Sequence, residues 1–399
     1  MNNCCIVSIY SFPNGLAPTN RIISYSLGLK QNGINVDILI PYPTDDFSSE
    51  KTSTTGNYNG LKYKYSTGRY KSKYKLIRAF MFLTKLRLVW GVFISGLEFF
   101  SINKKNKYDA IIISNDTILF LLFYSFLGKI LNIKTIFIFD EYPVPIRHKL
   151  KSKIPTWKKL FYKFSLINID GYISITTELS NYYNKIKSKP TLIVSLIINT
   201  ERFKKVNNQK SLNKTITYVG NMELSKDNLD NIIKAFALIQ NKYQDYELCF
   251  YGKPNKTDAF KLKSLIEELQ LVNKIHFKGL IPADKVPEIL LTSKILVSSQ
   301  PNTKRASGGF PTKLGEYLIS GTPSLFTDVG ENSKYVKNEI HLFFAKPNDS
   351  KDYAKKLEFI INNYDHACMI AKNGKKMVES NFSHISAGRS IKEFINYLN

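Results

Sequence analysis

The chain is poor in cysteine and histidine, short of acidic residues, and lacks a long unbroken apolar run. Its 399 residues hold four cysteines, Cys4, Cys5, Cys249 and Cys368. No two stand at Cys-x-x-Cys spacing, and neighbours such as Cys4 and Cys5 rarely bridge, so reduced core thiols in a cytosolic protein are expected. The five histidines, His148, His276, His341, His366 and His384, show no paired ligand spacing, and no Asp-x-Asp sequence occurs. A resident metal or other cofactor is therefore not expected. The most apolar run, residues 118–127, is interrupted by Ser125 and falls short of the ~18–20 residues that a spanning helix needs. No membrane crossing is expected from it. The first residues carry no basic leader or small-residue cleavage site, and 4–10 read as a first strand.

What the chain has in excess is positive charge. Lysine and arginine number 57 against 32 aspartates and glutamates, a formal net charge of +25. Twelve of the cations lie between Lys62 and Lys107, where Glu98 is the sole acid, interleaved with aromatics such as Tyr63, Tyr70, Phe93 and Trp90. A second cluster runs from Arg147 to Lys163 and carries Trp157 and Phe161. Basic, aromatic-rich stretches with an apolar helical pattern suit an anionic membrane surface, and a peripheral position on the inner face of the cell membrane is the expectation. Solvated lysine-rich faces read the same way at this level. No nucleic-acid module appears, so nucleic acid is not an expected partner.

A chain of this length suits two domains of ~150–200 residues, and its 43% hydrophobic content can fill two cores. Strands are expected at residues 4–10, 36–41, 110–114, 135–139 and 171–175, with helices after most of them. Leu76, Phe80, Leu83, Leu86, Trp90, Phe93 and Leu97 recur at three- and four-residue steps and predict a long helix. The pattern pauses after 192–194, and residues 204–214 are polar and read as a linker. It then resumes with strands at 215–220, 247–251, 275–277, 295–298, 323–326 and 341–344. Helices are expected at 229–240, 257–269, 286–291, 312–320 and 351–362. Such alternation predicts an α/β protein of two doubly wound parallel sheets, with ligands at the carboxyl ends of the strands.

One segment is richer in chemistry than any other: Gly308-Gly309-Phe310-Pro311-Thr312-Lys313-Leu314-Gly315-Glu316-Tyr317-Leu318, then Gly321-Thr322-Pro323. A loop opening a short helix aims backbone N–H groups and a positive dipole end at one place. Lys313 and Glu316 stand three apart on its first turn, able to meet a phosphate and sugar hydroxyls respectively. A loop ahead of a buried helix reads equally well from these residues alone. The segment from Gly308 to Glu331 resembles the donor site of the family-4 glycosyltransferases, retaining enzymes of the GT-B fold, through Lys313, Glu316, Gly321, Pro323, Asp328 and Gly330. Two further blocks agree. Tyr218-Val219-Gly220-Asn221 with Lys226 and residues 232–236 resembles the opening of that family's second domain, and Ile6–Tyr10 with Gly15, Arg21 and Gly33 resembles its first. Ile198-Asn199-Thr200-Glu201-Arg202-Phe203 resembles its crossover between domains.

The resemblance implies two Rossmann-like domains facing across a cleft: 1–198 on the acceptor side, a crossover at 199–214, and a nucleotide-sugar-binding domain at 215–384. A last helix near 385–399 returns to the first domain. It implies a hexosyltransferase-type enzyme moving sugar from a nucleotide-sugar to a saccharide or lipid-linked acceptor, as in cell-surface polysaccharide or lipopolysaccharide synthesis. Lys226 and Lys313 would hold the diphosphate, with Gly309, Phe310, Pro311, Thr312 and Leu314 lining the donor and Glu316 accepting from ribose. In the first domain, Gly15 and Arg21 would approach the diphosphate, and Asp140 and Glu141 would orient or deprotonate the acceptor. Asn115 and Asp116 are weaker acceptor candidates. Two departures stand out. The family's first glutamate would fall at 308, where this chain has Gly308, and an arginine usual just before the first lysine gives way to Glu223 and Leu224. The first departure keeps open a catalytically impaired homologue that binds a membrane or a partner.

Overall fold

The computed structural model describes residues 2–15, 17–45, 53–71, 81–142, 156–204, 206 and 214–398, without side chains at 81–85 and 158. Two compact units emerge. One comprises Met1–Ile197 with His384–Asn399, the other Ile198–Ser383.

The first unit runs β1 (Asn3–Ser8), α1 (Ala17–Gln31), β2 (Asn35–Ile40), β3 (Thr55–Tyr58), β4 (Leu61–Tyr65), α2 (Met81–Asn106), β5 (Ala110–Ser114), α3 (Ile118–Leu131), β6 (Lys134–Phe139), α4 (Thr156–Ser165), β7 (Gly171–Ser174), α5 (Thr177–Ile186) and β8 (Thr191–Ile193). Its sheet order is β3-β4-β2-β1-β5-β6-β7-β8. Cys4 lies between Val36 and Ala110 in parallel register. Strands such as β5, Ala-Ile-Ile-Ile-Ser, are buried throughout, the signature of a sheet covered on both faces. Among the described strands only β3 pairs antiparallel, in a hairpin whose turn residues Asn59 and Gly60 both have positive φ. That left-handed pair matches strand twist in a two-residue turn. Sequence reading had placed Leu-Lys-Tyr-Lys-Tyr within the basic patch. Its alternation instead buries Leu61 and Tyr65 and leaves Lys62 outside, which is a strand.

The second unit holds α6 (Glu201–Lys204), β9 (Thr215–Val219), α7 (Leu224–Asp227), α8 (Leu229–Gln240), β10 (Glu247–Tyr251), α9 (Lys256–Glu268), β11 (Ile275–Gly279), α10 (Val286–Thr292), β12 (Ile295–Ser298), α11 (Lys304–Gly308), α12 (Thr312–Ser320), β13 (Ser324–Thr327), α13 (Asn332–Tyr335), β14 (Phe343–Ala345), α14 (Ser350–Asn362) and α15 (Tyr364–Asn381). All six strands pair in parallel, in the order β11-β10-β9-β12-β13-β14. Strand order reverses at β9, so the loops after β9 and β12 diverge there and leave the crevice where open α/β sheets bind ligands. The core beneath is apolar, with Ile216, Phe236, Leu248, Phe250, Val297 and Leu325 buried together.

The last helix, α16 (His384–Leu398), belongs to the first unit. It packs along α1, and Ile391 and Ile395 join the core that holds Cys4, Ile6 and Ile22. Two glycines set the spacing. A Cβ on Gly28 would sit 1.9 Å from the His384 carbonyl oxygen, and one on Gly388 would sit 2.1 Å from the Gly28 carbonyl carbon.

The long apolar helix is present as α2, whose described stretch Leu86–Asn106 is long and apolar enough to cross a membrane by length and composition. The apolar run at residues 118–127 lies in the shorter helix α3. Val92, Ser95 and Phe99 are nevertheless buried in the unit, and Glu98 pairs with Lys64 of β4 (2.9 Å). One side of α2 therefore serves as core. The predicted residues Leu76 and Phe80 and the cations Lys73, Lys75 and Arg78 lie outside the described residues, as do Arg147, His148, Lys149, Lys151 and Lys153.

Candidate functional site

The second unit gathers its charged groups at the carboxyl ends of β9 and β12. β9 ends at Val219, and Gly220 follows. A Cβ there would meet the Lys313 ammonium at 2.6 Å and the Tyr218 hydroxyl at 2.5 Å, so a larger residue would displace the lysine from this position. Lys313 is the second residue of α12. Its Nζ donates to the Tyr218 hydroxyl (2.8 Å), pairs with Asp227 Oδ1, and lies 4.3 Å from the Tyr218 ring centroid. Asp227 is 1% exposed and Lys313 15% exposed. Burial pulls the Lys313 pKa down, and Lys226 adds to this, while Asp227 pushes it back up; the net result lies below the ordinary lysine value. An ammonium has three hydrogens to donate, and these two partners leave one for a ligand.

Lys226 stands on α7, one residue before Asp227, and is half-buried. α7 is anchored by the Leu224 N–H donating to Asp258 (3.2 Å). A further cation arrives from a place the sequence did not suggest. Arg305 of α11 donates to Glu223 through Nη1 (2.8 Å). It thus stands beside the stretch where the resembling family carries an arginine and this chain has Glu223 and Leu224. Burial favours the neutral Glu223 carboxyl, but Ser225, Arg305 and Lys226 outweigh it and hold its pKa below the usual value. No sequence pattern could show this, because residues 223 and 305 meet only once β9 and β12 lie side by side.

Glu316, one turn beyond Lys313, has its own partner. Arg202 of α6 donates to Glu316 Oε1 (2.7 Å) and to the Ala283 carbonyl (2.6 Å). The Asn199–Phe203 segment, read from sequence as a crossover, therefore supplies a side chain to this cluster. Tyr317 fixes the helix to the sheet, its hydroxyl accepting from the Val219 N–H (2.9 Å).

The loop ahead of α12 differs from the expectation. Gly309 caps α11, and its N–H already donates to the Arg305 carbonyl (3.0 Å). Pro311 has no N–H to give. Leu314 is fully buried and its amide donates to the Pro311 carbonyl (2.9 Å). The Phe310 ring packs edge-on to Tyr335 at 5.5 Å. These four residues build the loop; Thr312 and Lys313 are the first residues of α12, whose amides have no acceptor within a helix. The charged and amide groups gathered here are the Thr312 and Lys313 amides, Lys313, Lys226, Arg305 and Glu316. Position 308, the last residue of α11, is buried and presents no carboxylate.

In the first unit, Gly15 allows a tight turn: a Cβ would lie 2.0 Å from Thr19 Oγ1, which donates to the Ser11 carbonyl (2.7 Å). Arg21 was expected to approach a diphosphate. It is 5% exposed and committed within its own unit, to Tyr25 (2.8 Å), the Val194 and Ser195 carbonyls, and Asp140 (3.2 Å). That placement removes it from the candidate donor contacts and makes it a strut joining α1 to the end of β8. Asp140 follows β6; burial raises its pKa, Arg21 lowers it, and Glu141 raises it again, leaving it above the usual carboxylate value. Glu141, beside it, is half-buried. Asn115 is buried, its Oδ1 accepting from Thr117 N–H (2.6 Å).

Residues 199–377, most of the second unit, match the family model described as Glycosyl transferases group 1. No curated protein sequence matches significantly. Among solved structures, sucrose-phosphate synthase from Thermosynechococcus elongatus is similar over 100% of this chain and 99% of its own, with TM-score 0.73 and 15% identity. Anabaena HepE, solved with UDP and glucose, is similar over 98% of this chain and 99% of its own (TM-score 0.68, 11% identity). The lipopolysaccharide outer core galactosyltransferase WaaB is similar over 100% and 99% (TM-score 0.63, 15% identity). The architecture is that of the GT-B glycosyltransferases, an α/β chain with two parallel-sheet, Rossmann-like units.

Proposed function

We propose that this chain, a glycosyltransferase by its group 1 domain and fold, transfers a hexose-type sugar from a nucleotide-sugar to a saccharide acceptor with retention at the anomeric carbon. The reading places it with the family-4 enzymes. One observation carries it: a lysine at a helix N-terminus, Lys313, held at the reversal point of a parallel sheet beside Lys226 and Arg305.

When a glycosidic bond to a diphosphate breaks, negative charge grows on the leaving group, and donors already aimed there stabilise that charge more than the ground state. Lys313, Lys226 and the first amides of α12 are such donors. Glu316, oriented through one oxygen by Arg202, keeps its other oxygen for ribose hydroxyls. This reading assigns charge neutralisation to side chains and amides in place of a metal. Asp140 and Glu141 are proposed for the acceptor, and the raised Asp140 pKa fits a group that exchanges a proton. HepE's printed UDP and glucose support a UDP-sugar as the first donor to try, and WaaB supports a cell-surface saccharide as acceptor. A lipid-linked acceptor at the cytosolic face of a membrane completes the proposal.

Calorimetric titration with UDP, GDP and ADP tests the site, followed by donor hydrolysis without acceptor. Binding of one nucleotide that is lost in Lys226→Ala and Lys313→Ala is the expected result. Binding unchanged in both variants would overturn the assignment. Gly308 favours a second reading, an inactive homologue serving as a binding protein; failure of all three nucleotides to bind would support it.

A further inference from the structure

Three neighbouring helices of the first unit leave large apolar side chains in solvent. On α2 the exposed large apolar residues are Leu86, Val89, Trp90, Phe93, Leu97 and Phe100, which apart from the adjacent pair Val89 and Trp90 recur at three- or four-residue steps. On α4 they are Trp157, Leu160, Phe161 and Phe164, a single face. Between them α3 exposes Phe126 and Ile130 and packs against both helices. Exposed large apolar residues grouped along helix faces in this way mark an interaction surface. Both tryptophans of the chain are here, Trp90 58% exposed and Trp157 63%.

The charge around this surface has one sign. Among the described side chains the three helices carry Arg87, Lys104, Lys105, Lys129, Lys159 and Lys163 against a single acid, Glu98, which Lys64 already neutralises. Lys104 lies 4.8 Å from the Phe100 ring centroid, a cation at the edge of the apolar stripe. A second copy of the chain is a poor occupant, because a two-fold contact would set these like charges against each other. A hydrocarbon boundary beneath a layer of negative headgroups satisfies both halves of the pattern.

We propose that the exposed face of α2, α3 and α4 docks the chain on an anionic lipid bilayer, with Trp90, Phe93, Trp157 and Phe161 entering the headgroup boundary. The lysines contact lipid phosphates. The inference deepens the membrane-side reading of the acceptor and rests on it for the acceptor's chemistry, but docking itself is measured without sugar transfer.

The test uses the full chain with vesicles of phosphatidylcholine, with and without phosphatidylglycerol. Because both tryptophans sit on the proposed face, their emission should shift to shorter wavelength with anionic vesicles, and high salt should reverse the shift. Trp90→Ser with Phe161→Ser, exposed positions whose loss spares the core, should weaken co-sedimentation. Lys159→Gln with Lys163→Gln should weaken it on the order of tenfold. Lys226→Ala should abolish nucleotide binding and leave vesicle binding intact, which separates failure of the donor site from failure of this surface. Equal binding to neutral and anionic vesicles, or docking unaffected by both patch variants, would overturn the proposal. So would a dimer in sedimentation velocity that the patch variants dissociate.

Discussion

Lys313 shows what a buried ammonium requires of its surroundings. Its ammonium is buried because Asp227 and Tyr218 accept it, and Gly220 leaves the space. Lys313→Ala strands the Asp227 carboxylate, a loss of about 3–5 kcal/mol by denaturant unfolding. Lys313→Met with Asp227→Asn should recover most of that stability without restoring nucleotide binding. The pH dependence follows from the lowered pKa. Between the folded and unfolded lysine values the unfolded chain binds more protons, so stability rises with pH through that window. The site loses its cation over the same window, and nucleotide affinity should fall at a pH below that of an ordinary lysine. Titrations across the alkaline range would show this; a midpoint at the free-lysine value would count against it. Arg202 is a positioning residue for Glu316. Arg202→Ala should raise the donor KM roughly tenfold with kcat little changed, the pattern of lost uniform binding, and Arg202→Lys should restore part of it. Of this site, Lys226, Lys313 and Glu316 were legible as residue types at a helix start. Asp227, Arg305 and Arg202 were not, because each reaches its partner only through chain segments far apart in sequence.

At the scale of elements, apolar periodicity carried most of the information. The strands β5, β10 and β12 and the helices α8 and α12 coincide with the sequence reading, since buried parallel strands and amphipathic helices leave strong patterns. Short or half-exposed elements escaped it. β3 is a polar edge strand with the lysine-rich β4 beside it, α11 is one turn with Lys304 and Arg305 in it, and α15 fills three of its buried positions with the small residues Ala367, Ala371 and Gly374. Tertiary contact decided those. The α1–α16 pairing rests on its two facing glycines. Gly388→Val should force the helices apart and cost about 1–3 kcal/mol in thermal or denaturant unfolding, with nucleotide binding by the second unit retained.

At the scale of the molecule, the first unit is discontinuous and the second is one stretch, residues 198–383. A chain ending at residue 383 loses Ile391 and Ile395 from the first core, each worth about 1.5–3 kcal/mol when fully buried. Calorimetry should therefore find the first unit's transition lowered or absent and the second's preserved. A nucleotide at about 100 times its Kd should raise only the second unit's stability, by about 2.7 kcal/mol. The sequence by itself determined two α/β cores, the sites of their strands, the excess of positive charge and the lysines at two helix starts. Those follow from local periodicity and from composition, which folding leaves unchanged. Only the tertiary structure decided that Arg21 is a strut, that Arg305 and Arg202 join the charged cluster, that the last helix completes the first core, and that both tryptophans are exposed on helices that pack against α3. Each depends on which distant segments meet, and a meeting of that kind leaves no mark in the order of residues along a single chain.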